Sequence, residues 1–324
     1  MSTTATVASA TTSATARPPA PLLESNEILD DAAALRDRLR VDGYLFFRRL
    51  VDPQVSQGVR LDVAERLHRL GWFATPDETT AADAFRQHAP TFGDSDYWPG
   101  FIEILKTPSV HETARDPALV ALVERLFGEP AVRQPRFVPR AVFPWPANQW
   151  SEMAAHQDMP YMQGSLDTLT AWMPMGACLN RGGGLEILRG SHTSGLRELI
   201  GGSSGRYRCA ATEIDPDDDN WRGADYGPGD VLLFTCLTVH RAPRNHSELV
   251  RLTMDVRYQP RDSAMCEQLF ETPYYPDVPG WEELVDADEL ARIEATDPAE
   301  RVPFTAVEDF QSADSGRVFP WLQS

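Results

Sequence analysis

The rhythm of apolar positions changes near residue 130. Before that point apolar residues recur at helical spacing, and after it short apolar stretches alternate with Gly, Pro and Asn turns. Ser25 is a candidate N-cap for a first helix carrying Ile28, Ala32, Leu35 and Leu39, and Gly43 ends it. Tyr44-Leu45-Phe46-Phe47 reads as a strand. Asp52-Pro53 opens a second helix reaching about Leu70, and Asp116-Pro117 opens another that Gly128 stops after Phe127. Strands are expected at 137–143, 169–173, 184–188, 231–234 and 252–258, the fourth fed by a Pro228-Gly229-Asp230 turn. A further helix is expected at 287–295. Strands and helices do not alternate as a doubly wound parallel sheet requires. The pattern predicts an α+β, mainly β chain, with N-terminal helices flanking an antiparallel barrel or double sheet.

Composition narrows the function classes. The 42% hydrophobic and 24% charged content is that of a globular protein, and no run of eighteen apolar residues could cross a membrane as a helix. Cys178, Cys209, Cys236 and Cys266 show no C-x-x-C spacing, and with no export signal reduced thiols and a cytoplasmic location are expected. A net charge of −18 argues against nucleic acid as partner. Half of that charge is local: eleven acids face only Arg292 and Arg301 between Asp277 and Asp309. That run could be an acidic rim drawing in a cationic substrate, but a solvated acidic face is the plainer reading. Lys106 is the only lysine, so Schiff-base chemistry would rest on one residue with no phosphate cradle around it. Residues 1–24, rich in Ser, Thr, Ala and Pro, are expected to be a disordered tail. Residues 25–324 then form one domain: a helical part (25–130), a strand-rich core (about 135–260) and an acidic extension (261–324).

The candidate chemistry starts at His156-Gln157-Asp158. In an extended strand His156 and Asp158 project to one face, offering an imidazole and a carboxylate. His240, 82 residues after the aspartate, can supply a third ligand. Two His and one carboxylate with open positions suit a non-heme Fe(II) oxygenase. Arg251 lies in the otherwise apolar Leu249–Met254 stretch, where a guanidinium needs an anionic partner. That partner could be a structural Asp or Glu, or the carboxylate of a bound dicarboxylic acid. Thr253 shares its face and could add a hydroxyl.

These segments resemble the phytanoyl-CoA dioxygenase family. The resemblance rests on His156-Gln157-Asp158, Gly183-Gly184-Leu185-Glu186-Ile187-Leu188-Arg189-Gly190-Ser191-His192, Gly229-Asp230-Val231-Leu232-Leu233-Phe234, His240, and Asn245-x-Ser247-x-x-x-Arg251. Asp42-Gly43-Tyr44-Leu45 is also like the family's opening. The resemblance covers roughly residues 28–260. It implies a double-stranded β-helix (a cupin-like jelly-roll) with Fe(II), and 2-oxoglutarate and O2 as cosubstrates. His156, Asp158 and His240 match the iron ligands, Arg251 the arginine gripping the distal carboxylate of 2-oxoglutarate, and Trp172 a cosubstrate contact. His192 matches a structural position. Ala242 stands where many members have a serine, leaving more of the cosubstrate grip to Arg251, and Arg140 is a candidate for a basic residue that members often carry before His-x-Asp. A carboxylate at Asp158 occupies the position that halogenases of the family leave for chloride.

Hydroxylation of a C–H bond in a small molecule, a specialised-metabolite intermediate, with release of succinate and CO2 is therefore expected. Desaturation, ring closure or epoxidation by the same oxidant are alternatives, as are a jelly-roll metalloenzyme without 2-oxoglutarate and a silent ligand-binding member. The scarcity of basic clusters argues against a CoA substrate, and the acidic balance hints at a cationic or neutral one. Trp145, Trp150, Tyr161 and Met162 flank the metal stretch and could line a pocket or simply pack. Asp215, Asp217 and Asp219 resemble a calcium loop but lack its glycine and terminal glutamate.

Overall fold

Asp, Pro and Gly punctuate the helical part as their chemistry dictates. A computed structural model describes residues 17–307, apart from 93, 149–151, 202–206, 210–213 and 273–277. Helix α1 (Ala32–Asp42) ends at Gly43 with φ 79°. Helix α2 (Pro53–Arg69) is capped by the Asp52 carboxylate, which accepts from Gln54 N at 2.8 Å. Helices α3 (Trp98–Leu105) and α4 (Pro108–Thr113) follow. Helix α5 (Pro117–Phe127) is capped by Asp116 and closed by Gly128 at φ 76°. After the short α6 (Met159–Met162) come α7 (Trp281–Leu284) and α8 (Ala287–Glu294) in the acidic extension.

The start of α1 differs from expectation. Its cap is Asp31, which accepts from Ala34 N at 3.0 Å, after a separate 3-10 turn at Asn26–Ile28. Ser25 is buried instead and its hydroxyl accepts from Phe46 N, fastening the entering chain to the strand beyond the helix. Helix α3 also escapes the sequence pattern, because Trp98-Pro99-Gly100 reads as a turn. Packing overrides that preference: a Cβ on Gly100 would lie 2.1 Å from Cη2 of Trp72.

The strands are β1 (Ala20–Pro21), β2 (Tyr44–Phe47), β3 (Ala131–Arg133), β4 (Val138–Val142), β5 (Met153–His156), β6 (Leu169–Pro174) and β7 (Glu186–Leu188), then β8 (Leu199–Gly201), β9 (Tyr207–Cys209), β10 (Trp221–Gly223), β11 (Val231–Thr235), β12 (His240–Ala242), β13 (Arg251–Pro260), β14 (Ala264–Cys266) and β15 (Glu300–Val302). One sheet runs β1-β10-β7-β12-β5, and the other runs β2-β11-β6-β13-β3 with β4 also on β13. Apart from the parallel β1–β10 pair, the pairings within both are antiparallel, and the two sheets with flanking helices form the expected double-stranded β-helix. Within the segment expected to be a disordered tail, Ala20–Pro21 instead pairs with Arg222–Gly223; residues 1–16 lie outside the described residues.

Strand β13 shows how the fold separates core from site. Leu252, Met254, Val256 and Tyr258 on one face join the main core with the helices. Arg251, Thr253, Asp255 and Arg257 alternate with them and are buried on the other face. A smaller apolar cluster with Phe46, Trp172, Leu185, Ile187 and Phe234 lies between the sheets.

Described residues of the acidic extension belong to this core, and none of them is among the residues lining the cavity described below. Trp281, Leu284 and Ile293 are buried in the main cluster. Glu289, whose side chain is 6% exposed, accepts from Arg115 Nη2 at 2.6 Å and Arg133 Nη2 at 2.8 Å, with His111 Nδ1 at 3.2 Å. Burial pushes the Glu289 carboxyl up, but His111, Arg115 and Arg133 outweigh it and hold it down to about 2. A depressed carboxyl binds its proton less readily folded than unfolded. Its stabilisation is therefore complete above the ordinary glutamate value and is lost as pH falls through the folded one. Glu289→Gln, which leaves the buried Arg133 and the half-buried Arg115 guanidinium short of a counter-charge, is expected to lower unfolding free energy at pH 7 by about 3 kcal/mol in urea titrations. The gap from wild type should narrow from roughly pH 4.3 down towards pH 2.

Candidate metal centre

The two histidines meet because β12 pairs with β5 and the register sets His240 directly opposite His156. Their ring centroids are 4.2 Å apart. His240 lies beyond the end of the apolar β11 strand. The chain turns through Cys236–Val239 and His240 opens β12 in the other sheet. Asp158 also reaches the site by another route, because β5 stops at His156 and Asp158 is the helical cap residue of α6. The turn, rather than strand alternation, brings its carboxylate round. Gln157 points away: its amide donates to the carbonyls of Gly195 (2.9 Å) and Leu237 (2.6 Å) and its oxygen accepts from Arg197 N.

Each imidazole presents Nε2 to the centre. His156 Nδ1 lies 2.8 Å from the Ala154 carbonyl, and His240 Nδ1 3.0 Å from that of Thr238, so each Nδ1 donates and each Nε2 keeps its lone pair. One donor atom from each of His156, Asp158 and His240 lies within 4.8 Å of the others, and all three residues are buried. Burial first, and the His240 ring second, push His156 down to about 3; burial likewise lowers His240. Burial pushes Asp158 up, but Arg257, the two imidazoles and a Thr170 hydrogen bond outweigh it and hold the carboxyl well below the usual range. Two neutral imidazoles and an ionised carboxylate are the protonation states that a divalent metal needs.

These groups open onto a cavity of about 640 Å³, its mouth included, between the sheets. Phe92, Val142, Trp172, Leu185, Phe234 and Ala242 give it apolar wall, and Arg140, Arg251, Asp255 and Arg257 line it with charge. Arg140 Nε donates to Asp255 Oδ2 at 3.4 Å and its guanidinium stacks 4.6 Å from the Phe92 ring centre. Trp172 packs its ring 4.6 Å from that of Tyr226.

Arg251 decides what else the cavity can hold. Its side chain is deeply buried, and Nε and Nη1 have no hydrogen-bond partner. Among the described residues no carboxylate pairs with it, which removes the structural Asp or Glu considered from the sequence. Burial pushes its pKa down. The nearby Thr253 Oγ1 is also buried without a partner, although Thr253 is not among the residues of the cavity wall. Gly183, at φ 79°, lets the loop close over this guanidinium: a Cβ there would lie 2.9 Å from Arg251 Nη1 and 2.4 Å from the Pro243 carbonyl. A buried cation without a partner beside a metal-donor set is the receptor for an anion. The donor set and this orphaned guanidinium together fit Fe(II) and a dicarboxylic 2-oxo acid.

A family model for phytanoyl-CoA dioxygenase (PhyH) matches residues 39–253, well over half of the chain. The chain belongs to the phytanoyl-CoA dioxygenase family. It is a non-heme Fe(II)- and 2-oxoglutarate-dependent oxygenase, with O2 as oxidant and a small molecule as substrate. The 1-deoxypentalenic acid 11-beta-hydroxylase of Streptomyces arenae is 27% identical over 73% of this chain and 84% of its own length. That of Streptomyces exfoliatus is 25% identical over 74% and 86%. The epimerase SnoN, solved with Fe3+, alpha-ketoglutarate and nogalamycin RO, shares the fold at a TM-score of 0.52, with 22% identity over 74% of this chain and 87% of that one. No helix among the described residues is long and apolar enough to cross a membrane.

Other candidates separate cleanly. His192 Nε2 lies 3.1 Å from the Arg40 carbonyl, away from the triad, and His111 is bound to Glu289 and the Leu105 carbonyl. Met162 is core and Tyr161 packs beside it; Trp145 is 42% exposed and stacks on His246; Trp150 lies outside the described residues. The sequence reading missed Thr170, Asp255 and Arg257. The signal was present, because extending the two-residue alternation from Arg251 and Thr253 leads to Asp255 and Arg257.

An unpartnered buried guanidinium costs stability until its anion arrives. Arg251→Met is therefore expected to raise the unfolding free energy of the metal-free, 2-oxoglutarate-free protein by about 1–3 kcal/mol. The same variant should lose the thermal stabilisation that 2-oxoglutarate gives the Fe(II)-loaded wild type. Equal destabilisation in both states would show that Arg251 is structural.

Proposed function

We propose that the chain hydroxylates a C–H bond of a small, largely apolar acid, an intermediate of specialised metabolism. The observation that carries this reading is the buried, unpartnered Arg251 guanidinium beside the His156–Asp158–His240 donor set. In this reading His156, Asp158 and His240 hold Fe(II), Arg251 grips the distal carboxylate of 2-oxoglutarate, Thr253 adds a hydroxyl, and Trp172 walls the cosubstrate. Bound iron with 2-oxoglutarate and O2 supplies the oxidation of the C–H bond, with succinate and CO2 as coproducts. The chain binds, orients and keeps water out.

Two features support the substrate class. The two Streptomyces relatives named above are 1-deoxypentalenic acid 11-beta-hydroxylases. The cavity wall offers Phe92, Val142, Leu185 and Phe234 for a hydrocarbon skeleton and Arg140 for an acid group. Three cavity arginines stand against Glu152, Asp255 and the adjoining Asp158, so the overall charge of −18 is not repeated at the site. Arg140 with the two acid-hydroxylating relatives supports an acidic substrate over the cationic one hinted at by overall charge. A carboxylate at Asp158 favours hydroxylation over halogenation, since the position is filled.

The expected outcome is direct. Anaerobic Fe(II) followed by 2-oxoglutarate should produce the visible charge-transfer band of a chelated 2-oxo acid, and His240→Ala should abolish it. With 1-deoxypentalenic acid and 18O2, mass spectrometry should find one labelled oxygen in the product and one succinate per turnover. A dehydrogenated product without added oxygen would favour desaturation, and no band with intact wild type would sink the reading.

A further inference from the structure

The two oxygens of Asp158 are treated unequally. Oδ1 faces Nε2 of His240 at 3.7 Å and Nε2 of His156 at 4.0 Å. Oδ2 accepts from Thr170 Oγ1 at 2.6 Å and from Arg257 Nη2 at 3.0 Å. Thr170 and Arg257 are cross-strand partners on β6 and β13, so both reach the same oxygen from one rung of the sheet. Both are buried, Thr170 at 1% and Arg257 at 3% exposure. Arg257 is backed in turn by Asp255, with Oδ2 3.8 Å from Nη2.

We propose that Thr170 and Arg257 are positioning residues that hold Asp158 as a one-oxygen metal ligand. This rests on the proposed role of the triad. A carboxylate free to rotate can give both oxygens to one cation. Here the second oxygen is occupied by a hydroxyl and a guanidinium, charge-assisted bonds in a dry site that rotation would have to break. The consequence lies in the coordination count. Iron held by three protein oxygen and nitrogen donors would keep room for the two chelating atoms of a 2-oxo acid and for O2. A fourth protein donor would take up part of that room. The clamp therefore protects cosubstrate binding more than metal binding.

A purely structural ion pair makes a different prediction. If Arg257 and Asp158 only neutralise each other's burial, loosening the contact lowers stability and weakens metal and cosubstrate together. Thr170→Val separates the two cases, because it keeps the side-chain shape and leaves the ion pair in place. Arg257→Lys keeps the charge but gives up the planar fork.

The test compares wild type, Thr170→Val and Arg257→Lys anaerobically, with apo melting curves as the check on folding. Fe(II) affinity is read by chelator competition and 2-oxoglutarate affinity by the charge-transfer band. Thr170→Val is expected to bind Fe(II) within about threefold of wild type but to need about tenfold more 2-oxoglutarate, an outer-shell effect of ordinary size. Arg257→Lys should shift in the same direction, and it decides between the two cases should Thr170→Val fail to fold. Unchanged 2-oxoglutarate affinity in the folded variants, or parallel loss of metal and cosubstrate, would overturn the proposal. A wild type without the band would instead overturn the proposed function, a result visible before any variant is made.

Discussion

The site depends on one strand pairing. Antiparallel contact between β12 and β5 sets His240 across from His156, and the register shifts between His240 and Ala242. A slip of one residue would turn one imidazole to the other face of the sheet, and no side-chain rotation could recover it. The pairing must therefore be fixed by features away from the metal. On its other side β12 pairs with β7, His240 opposite the buried Ile187 and Arg241 opposite Glu186, and Arg241 Nε donates to the Glu186 carboxylate at 2.7 Å. Gln157, between His156 and Asp158, ties the end of β5 to the Leu237 carbonyl in the turn before His240. The residue that points away from the metal thus links the two segments that supply it.

The same alternation explains how strongly polar groups come to be buried beside a hydrophobic core. Strand β13 spends one face on Leu252, Met254, Val256 and Tyr258, whose burial against the helices drives the sheet into place. Its other face carries Arg251, Thr253, Asp255 and Arg257 into the space between the sheets. Arg257 is compensated there by Asp158, while Arg251 is left without a partner. Stability supplied on one side of a strand is used on the other to hold an anion receptor ready, which is why an apolar residue at Arg251 would suit the empty fold better than the arginine does.

What was legible in the sequence follows from which physics is local. Helix ends marked by Asp-Pro and Gly and the long apolar strands depend on near neighbours, and the structure places them as expected. The first helix's cap was misplaced because Ser25 is used by a distant strand, and α3 was hidden because the space for Gly100 is set by Trp72. The convergence of Asp158 with His156 was expected for an inadequate reason. The chain leaves the strand at His156, and the carboxylate arrives through a turn and there accepts from Thr170 and Arg257. Those two residues belong to the site through a cross-strand rung, and sequence separation conceals a rung.

Net charge misled for a related reason. The chain carries −18, yet the cavity wall sets Arg140, Arg251 and Arg257 against Glu152 and Asp255, with Asp158 bonded to Arg257. Charges at the solvent surface are screened over roughly 8–10 Å at physiological ionic strength, whereas buried charges are screened far less. A substrate's charge preference is therefore set by the few ionised groups walling the cavity, and the sum over the surface says little about it. The acidic extension illustrates the point: part of its charge, at Glu289, serves to bury Arg115 and Arg133, and reaches no substrate. In this fold Asp158 and Asp255 are already bonded to Arg257 and Arg140, and the positive charge left unmatched is that of Arg251, which is what an acidic cosubstrate would meet.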